Sequence, residues 1–364
     1  MPMVMEDSII DSAAEKTLEK FNPLMTNSAN KDCVLSPASL LLCYAGISSV
    51  SEGLDDSEFG INNASQDIAT LLNTWNFDHE DRGSETSFKS TVLHQQVGSR
   101  YAFDENKRKS IASKYISTLV SSHDSFRDDA NAFFKNEMGM NLKIPDIEIP
   151  GGNGTVTYGA VKMKDTIYGG LICKDKEFNY STGLETTNSY CFAFESQAKR
   201  IDVYRGSNYY AFRTPIYKTD LLIILPDKDV DMNTINVAEA YTNFMSEATE
   251  QPAYGYIPLF HNRSTNVDMT NLFYSAVDGD EVIMSKLLKN DVVNDLTITK
   301  VMQTSDFELN EFGVVGESIT AGVGAGSAMA PRDPINLSVD RPFYAISLYN
   351  NFPMFVNKVS NPGK

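Results

Sequence analysis

The sequence predicts a mixed α+β fold. Three observations lead there: an amphipathic helical pattern at the N-terminus, a short apolar run that becomes a buried helix at a Ser-Pro step, and two alternating apolar runs at the C-terminus joined by a polar turn. The first pattern lies in MPMVMEDSIIDSAAEKTLEKF, where Ile9, Ile10, Ala13, Ala14, Leu18 and Phe21 share one side of a helix with acids in its first turn. Next come Val34 and Leu35, the helix start Ser36-Pro37, and Leu40, Leu41, Ala45 and Ile47 on a helix that is mostly buried. At the far end, Asp340–Tyr349 and Pro353–Val359 alternate around Asn350-Asn351, which reads as a β-hairpin closing the chain.

One long segment fits none of these patterns. From Glu311 to Arg332 the chain runs EFGVVGESITAGVGAGSAMAPR, with five glycines, no lysine and no aromatic after Phe312. A loop of this length in a compact domain is usually functional or disordered. Taken two residues at a time, Val314, Gly316, Ser318, Thr320, Gly322, Gly324 and Gly326 form one set, all small, apolar or hydroxylic. Val315, Glu317, Ile319, Ala321, Val323 and Ala325 form the other, which holds the only charge. A strand that slides between two others, one face on a core and the other toward solvent, has this pattern. So does a flexible linker of small residues, and the segment by itself leaves both open.

Composition bounds the remaining classes. At 364 residues, 42% hydrophobic and 22% charged, the chain can bury a large core. Length alone allows two domains, but no proline-rich linker, repeat or low-complexity tract divides it, so one domain over 1–364 is expected. A net charge of −17 argues against a nucleic-acid surface, which needs clustered Lys and Arg. No stretch approaches eighteen consecutive apolar residues, so no membrane span is expected. The N-terminus lacks a basic n-region and an apolar h-region, so a leaderless protein is expected, either cytoplasmic or secreted without a signal peptide of the usual kind. Cys33, Cys43, Cys173 and Cys191 have no metal-ligand spacing and read as free buried thiols. Sequons at Asn63, Asn153, Asn179, Asn262 and Asn336 matter only in a secretory chain.

An enzyme finds little support. His79, His94, His123 and His261 are scattered, none in an HExxH motif or beside a nucleophile motif. Gly322-x-Gly324-x-Gly326 imitates a phosphate cradle, but prolines at 331 and 334 follow where a helix should open. No catalytic group, metal or cofactor is expected.

The long loop, then the hairpin opened by Arg341-Pro342-Phe343, then Phe355-x-x-Lys358-Val359-x-Asn361-Pro362 resembles, in that order, the C-terminal signature of the serpins. Val34-Leu35-Ser36-Pro37-Ala38-Ser39-Leu40 is similar to the family's strand that turns into its second helix. Leu221–Asp227 resembles its buried strand ending in Leu-Pro, and Ile257-Pro258-Leu259-Phe260 resembles its Leu-Pro-x-Phe strand. The resemblance runs from about residue 8 to Pro362. It implies the serpin fold: three β-sheets with a large central sheet A, about eight or nine helices, a reactive-centre loop at about 311–335 and the hairpin at about 338–360.

The resemblance also implies a function. A serine protease attacks the exposed loop and forms an acyl-enzyme; the cut loop then inserts into sheet A and drags the protease away, so that deacylation stalls. The partner would be such a protease, met by a monomer with no nucleic acid and no membrane involved, and the act can be extracellular. Glu311, Gly313, Val314 and Gly316 match the hinge, although Val314 replaces the usual threonine or serine. Counting seventeen residues inclusively from the hinge acid places the bait bond at Ser327–Ala328, for an elastase-like pocket. Met329–Ala330, for chymotrypsin-like or cathepsin G-like enzymes, and Arg332–Asp333, for trypsin-like ones, stay open. Ser36 and Ser39 match the shutter, where Gln303 replaces the usual histidine; Gly159 replaces an asparagine, and Ile167 the breach tryptophan. The basic cluster from Lys107 to Lys114 reads as a solvated face rather than a glycosaminoglycan site. The alternatives are a non-inhibitory serpin used as carrier, chaperone or storage protein, and an inhibitor of a cysteine protease.

Overall fold

Helix α1 (Pro2–Met25) buries Ile10, Ala13, Ala14, Leu18, Phe21 and Met25, which is the apolar side the sequence marks. It starts at Pro2, earlier than the pattern suggests, so its first turn carries no acid. The computed structural model describes residues 2–27, 32–51, 54–75, 84–95, 104–111, 116–121, 126–140, 154–166, 171–180, 183–274, 301–310, 313–314 and 333–362. After α1 come β1 (Cys33–Leu35), α2 (Pro37–Val50), α3 (Ala64–Trp75), β2 (Glu85–Gln95), α4 (Glu105–Ile111), β3 (Ile116–Ser121), α5 (Phe126–Met138) and β4 (Gly154–Thr166). The middle holds β5 (Leu171–Tyr180), β6 (Gly183–Ala193), β7 (Lys199–Arg205), β8 (Tyr209–Pro215), β9 (Asp220–Pro226), α6 (Val237–Glu247), β10 (Thr249–Pro258), β11 (Phe260–Asp268) and α7 (Thr270–Tyr274). The chain closes with β12 (Met302–Asn310), β13 (Gly313–Val314), β14 (Ile335–Asn336), β15 (Phe343–Tyr349) and β16 (Phe352–Val359).

Among the described residues, ten strands share one sheet, in the order β1-β16-β15-β9-β8-β7-β10-β6-β5 with β14 alongside β10. Six form a second, β11-β12-β13-β4-β2-β3. Two of the three expected sheets are thus continuous, and β10 is the reason. It pairs with β7 over Thr249–Ala253 and with β6 over Gly255–Pro258, changing partner at Gly255. A side chain there would meet the backbone carbonyl carbon of Leu337 at 2.6 Å, and φ is +157°, so the crossing needs glycine. Seven α-helices lie among the described residues.

The C-terminal hairpin forms as its pattern predicts. Asn350 and Asn351 have φ of +47° and +64°, the left-handed pair that a two-residue turn requires of its central residues. Residues Leu221 to Pro226 of β9 are buried because the strand lies between β8 and β15. Lys358 on β16 is a buried lysine, 2% exposed, whose ammonium donates to the Asn27 carbonyl at 2.9 Å and to Asn233 Oδ1 at 2.5 Å. Burial lowers its pKa from the ordinary lysine value, while Cys33, Asp231 and Asp32 act against that.

Helix α2 positions the functional region. Ser36 caps it by accepting from Ser39 N–H at 3.2 Å, Pro37 opens it, and Leu40, Leu41, Leu42, Ala45, Ile47 and Val50 are buried. It packs against β4 so closely that a side chain at Gly159 would meet Ser39 O at 2.3 Å and Cys43 N at 2.5 Å. The contacts are backbone atoms of a helix and cannot rotate aside. Gly159→Ala is therefore expected to lower stability by about 2–3 kcal/mol, read as an earlier urea midpoint at unchanged slope.

Candidate functional site

In the six-stranded sheet β4 and β12 run parallel, and among the described residues the two of β13 alone are hydrogen-bonded between them. Gly313 pairs with Thr166 and Asn310, and Val314 with Asp165 and Leu309, antiparallel on both sides. Beyond Val314 the same two strands line a cavity of about 500 Å³. Its walls are residues 158–164 of β4 and 302–307 of β12, and α2 contributes Ser36, Ser39, Leu40 and Cys43. Along β12 every second residue, from Val301 to Leu309, is buried, so one face of this slot belongs to the core. On the other face stand Lys162, paired with Glu85 at 2.7 Å, and Asp306, paired with Arg263 at 3.2 Å and with His261 at 2.5 Å.

The lower end is closed by one buried polar network. Ser36 N–H donates to Gln303 Oε1 at 2.9 Å, and Gln303 Nε2 returns a bond to the Ser36 carbonyl at 3.0 Å. The Ser36 hydroxyl donates to Met354 O at 2.8 Å, and the Ser39 hydroxyl donates to Gly159 O, also at 2.8 Å. Ser36, Ser39 and Gln303, distant in sequence, thus meet where α2 touches both strands of the slot. An amide can donate and accept at once, so it closes both backbone groups of Ser36 in a two-bond ring.

The upper end is held by a residue that sequence reading missed. Asp165 of β4, 2% exposed and register partner of Val314, accepts from the N–H groups of Tyr217, Lys218 and Thr219 at 3.2, 2.8 and 2.7 Å. The Thr219 hydroxyl adds a bond at 2.7 Å, and Ser84 Oγ donates to the second carboxylate oxygen at 2.5 Å. One buried carboxylate therefore ties β4, beside β13, to the turn between β8 and β9. A lone acid on the same strand parity as Val161 and Met163 is the signal that marks it in the sequence.

Of the other marked residues, Gly313 and Val314 enter the sheet as described, whereas Glu311, Gly316, Ser327, Ala328, Met329, Ala330, Arg332 and Ile167 lie outside the described residues. Asp333 is exposed with φ +54°, and two residues later Ile335 pairs with Ala253 of β10. Asn262 is buried and donates to Lys358 O at 2.9 Å, so its sequon is closed to glycosylation in the folded chain. Cys173 is only partly buried, unlike the other three thiols. Among the described residues no cluster of His, Cys, Asp and Glu forms a metal site.

The Serpin (serine protease inhibitor) family model matches residues 196–362. No curated protein sequence matches the chain. Among solved structures, native tengpin, a thermophilic serpin, aligns at TM-score 0.78 and 17% identity over 97% of this chain and 94% of its own. Serpin48 of the insect Tenebrio molitor gives 0.75 and 15% over 98% of each chain. Human thyroxine-binding globulin complexed with thyroxine gives 0.77 and 13% over 99% of each.

Two substitutions separate the ends of the slot. Gln303→Ala leaves the buried Ser36 N–H without its acceptor, while the Ser36 carbonyl keeps the Leu40 N–H at 3.1 Å, with an expected cost of about 1–3 kcal/mol in urea unfolding. Asp165→Ala takes one shared acceptor from three N–H groups and two hydroxyls, and an equal or larger loss is expected in the same measurement.

Proposed function

We propose that this chain, which matches the serpin family model over residues 196–362 and shares the serpin fold over nearly its whole length, inhibits a serine protease by inserting its cleaved loop between β4 and β12. The observation that carries this reading is the register of β13. Each further residue of an inserting strand steps one residue back along both neighbours, from Val314 opposite Asp165 and Leu309. Gly316 then meets Met163 and Phe307, Ser318 meets Val161 and Ser305, and Thr320 meets Gly159 and Gln303. These neighbours, Gly159 aside, are buried, so the uncharged parity set of the loop takes the core face. Glu317 takes the outer face, between Lys162 and Asp306.

The length of β4 supports the first-ranked bait bond. By the same register Ala325 reaches Gly154, the end of β4, and Ser327 falls two residues past it. A cut after Arg332 is less suited, because Asp333 turns left-handed and Ile335 is already anchored to β10. About fourteen inserted residues at about 3.3 Å each carry a tethered protease on the order of 45 Å. A dozen or so ladder hydrogen bonds at about 1 kcal/mol net apiece supply the driving force.

A second reading, a carrier that traps no protease, draws on the fold shared with thyroxine-binding globulin and on a cleft of about 550 Å³ lined in part by Ile10, Arg213, Tyr241, Phe244 and Asn351. One experiment separates the two. The protein is incubated with elastase-like, chymotrypsin-like and trypsin-like enzymes, run on a denaturing gel, and melted before and after cleavage. Inhibition gives a covalent complex with at least one enzyme, and cleaved protein that melts well above the intact form. Thr320→Arg, which would bury a guanidinium against Gly159 and Gln303, should be cleaved without complex formation. Cleavage of the unaltered chain with no gain in melting temperature sinks the insertion reading.

A further inference from the structure

Cys173 and Cys191 lie on adjacent strands and on one face. In the antiparallel register of β5 and β6, Cys173 stands opposite Ser189 and Cys191 opposite Leu171, so the two cysteines are diagonal neighbours. The Cys191 thiol donates to Ala193 O at 3.5 Å. Strand β5 is the edge of the ten-stranded sheet, which leaves Cys173 partly exposed while Cys191 is buried.

We propose that Cys173 and Cys191 form a reversible disulfide that staples the sheet edge to its neighbour. A disulfide needs Cα atoms within about 7 Å, and diagonal cross-strand neighbours sit at about 7–8 Å, so closure requires a small inward shift of β5. Three features allow that shift. Among the described residues the strand is paired on one side only, its ladder is interrupted between Cys173 and Lys176 with Asp175 at φ +53°, and the residue opposite Cys173 is the small Ser189.

The chemistry needs an oxidant, and a small disulfide such as oxidised glutathione supplies it. The exposed Cys173 thiolate attacks one glutathione sulfur, forming a mixed disulfide and releasing one glutathione thiolate. Cys191 then gives its proton to solvent and attacks the Cys173 sulfur, closing the protein disulfide and releasing the second glutathione thiolate. Two protein thiols are oxidised and one small disulfide is reduced to two thiols, each of which takes up a proton. Burial holds the Cys191 thiol up, at about 12, so its attack is the slower of the two steps.

The test is to incubate the full-length native protein with oxidised glutathione, alkylate before unfolding, and map peptides without reduction. Lys174 and Lys176 allow trypsin to part the two cysteines, so a linked pair is unambiguous. The expected result is loss of two of the four thiols and a Cys173–Cys191 linked peptide, reversed by dithiothreitol. Cys191→Ser should stop at glutathione on Cys173, and Cys173→Ser should leave Cys191 reduced. If the unaltered chain stops at the Cys173 mixed disulfide, or keeps all four thiols with no linked peptide, the proposal is overturned.

Discussion

Two parallel strands, β4 and β12, stand one strand-width too far apart to hydrogen-bond to each other, and the rest of the molecule is organised around that gap. Adjacent strands sit about 4.8 Å apart, so the slot is about 10 Å across and takes one strand and no more. The edges that face it are rows of backbone donors and acceptors, groups that proteins almost always pair. Val314 and Gly313 begin that pairing and fix both its direction and its parity. On the proposed insertion, every later residue on the core face is constrained, because a one-residue slip would turn Glu317 inward.

The two ends of the slot are secured by different chemistry. Below, neutral side chains of Ser36, Ser39 and Gln303 join the helix cap to both strands through backbone carbonyls and amides. Above, a single carboxylate gathers donors from a turn that belongs to the other sheet. The first arrangement can exchange partners with an incoming hydroxyl such as that of Thr320, since each group both donates and accepts. The second offers acceptors alone, so it can take a bond from an incoming donor but has none to give in return. Opening from below and opening from above therefore face barriers of different kind.

How much of this was legible in the chain depends on how local each feature is. The hairpin and its Asn350-Asn351 turn, the Ser36-Pro37 helix start and the apolar side of α1 follow from residues within a few positions of one another. The period-two pattern of the loop was equally readable, since it needs only neighbours. The continuity of two expected sheets was not, because the change of partner at Gly255 depends on Leu337, far along the chain. Asp165 escaped for the same reason: its donors lie 52 to 54 residues on and, for Ser84, 81 residues back, and most are backbone groups without a side-chain signature. Gly159 shows as a departure from the family pattern in the sequence, but its cause, the helix lying against it, is purely tertiary.

The position of β15 and β16 has a consequence for what a cut chain becomes. Everything after Ser327 includes β14, β15 and β16, and β15 is paired on one side with β9 and on the other with β16, itself flanked by β1. Phe343, Tyr344, Ile346, Phe352, Met354 and Val356 from that fragment lie in the main core. Breaking one peptide bond in the loop thus yields no free peptide but a two-chain molecule, its short piece held by sheet ladders, apolar contact and side-chain hydrogen bonds such as those of Lys358. In solution it would sediment as a single particle of unchanged mass, and only a denaturant would show that the backbone had been severed.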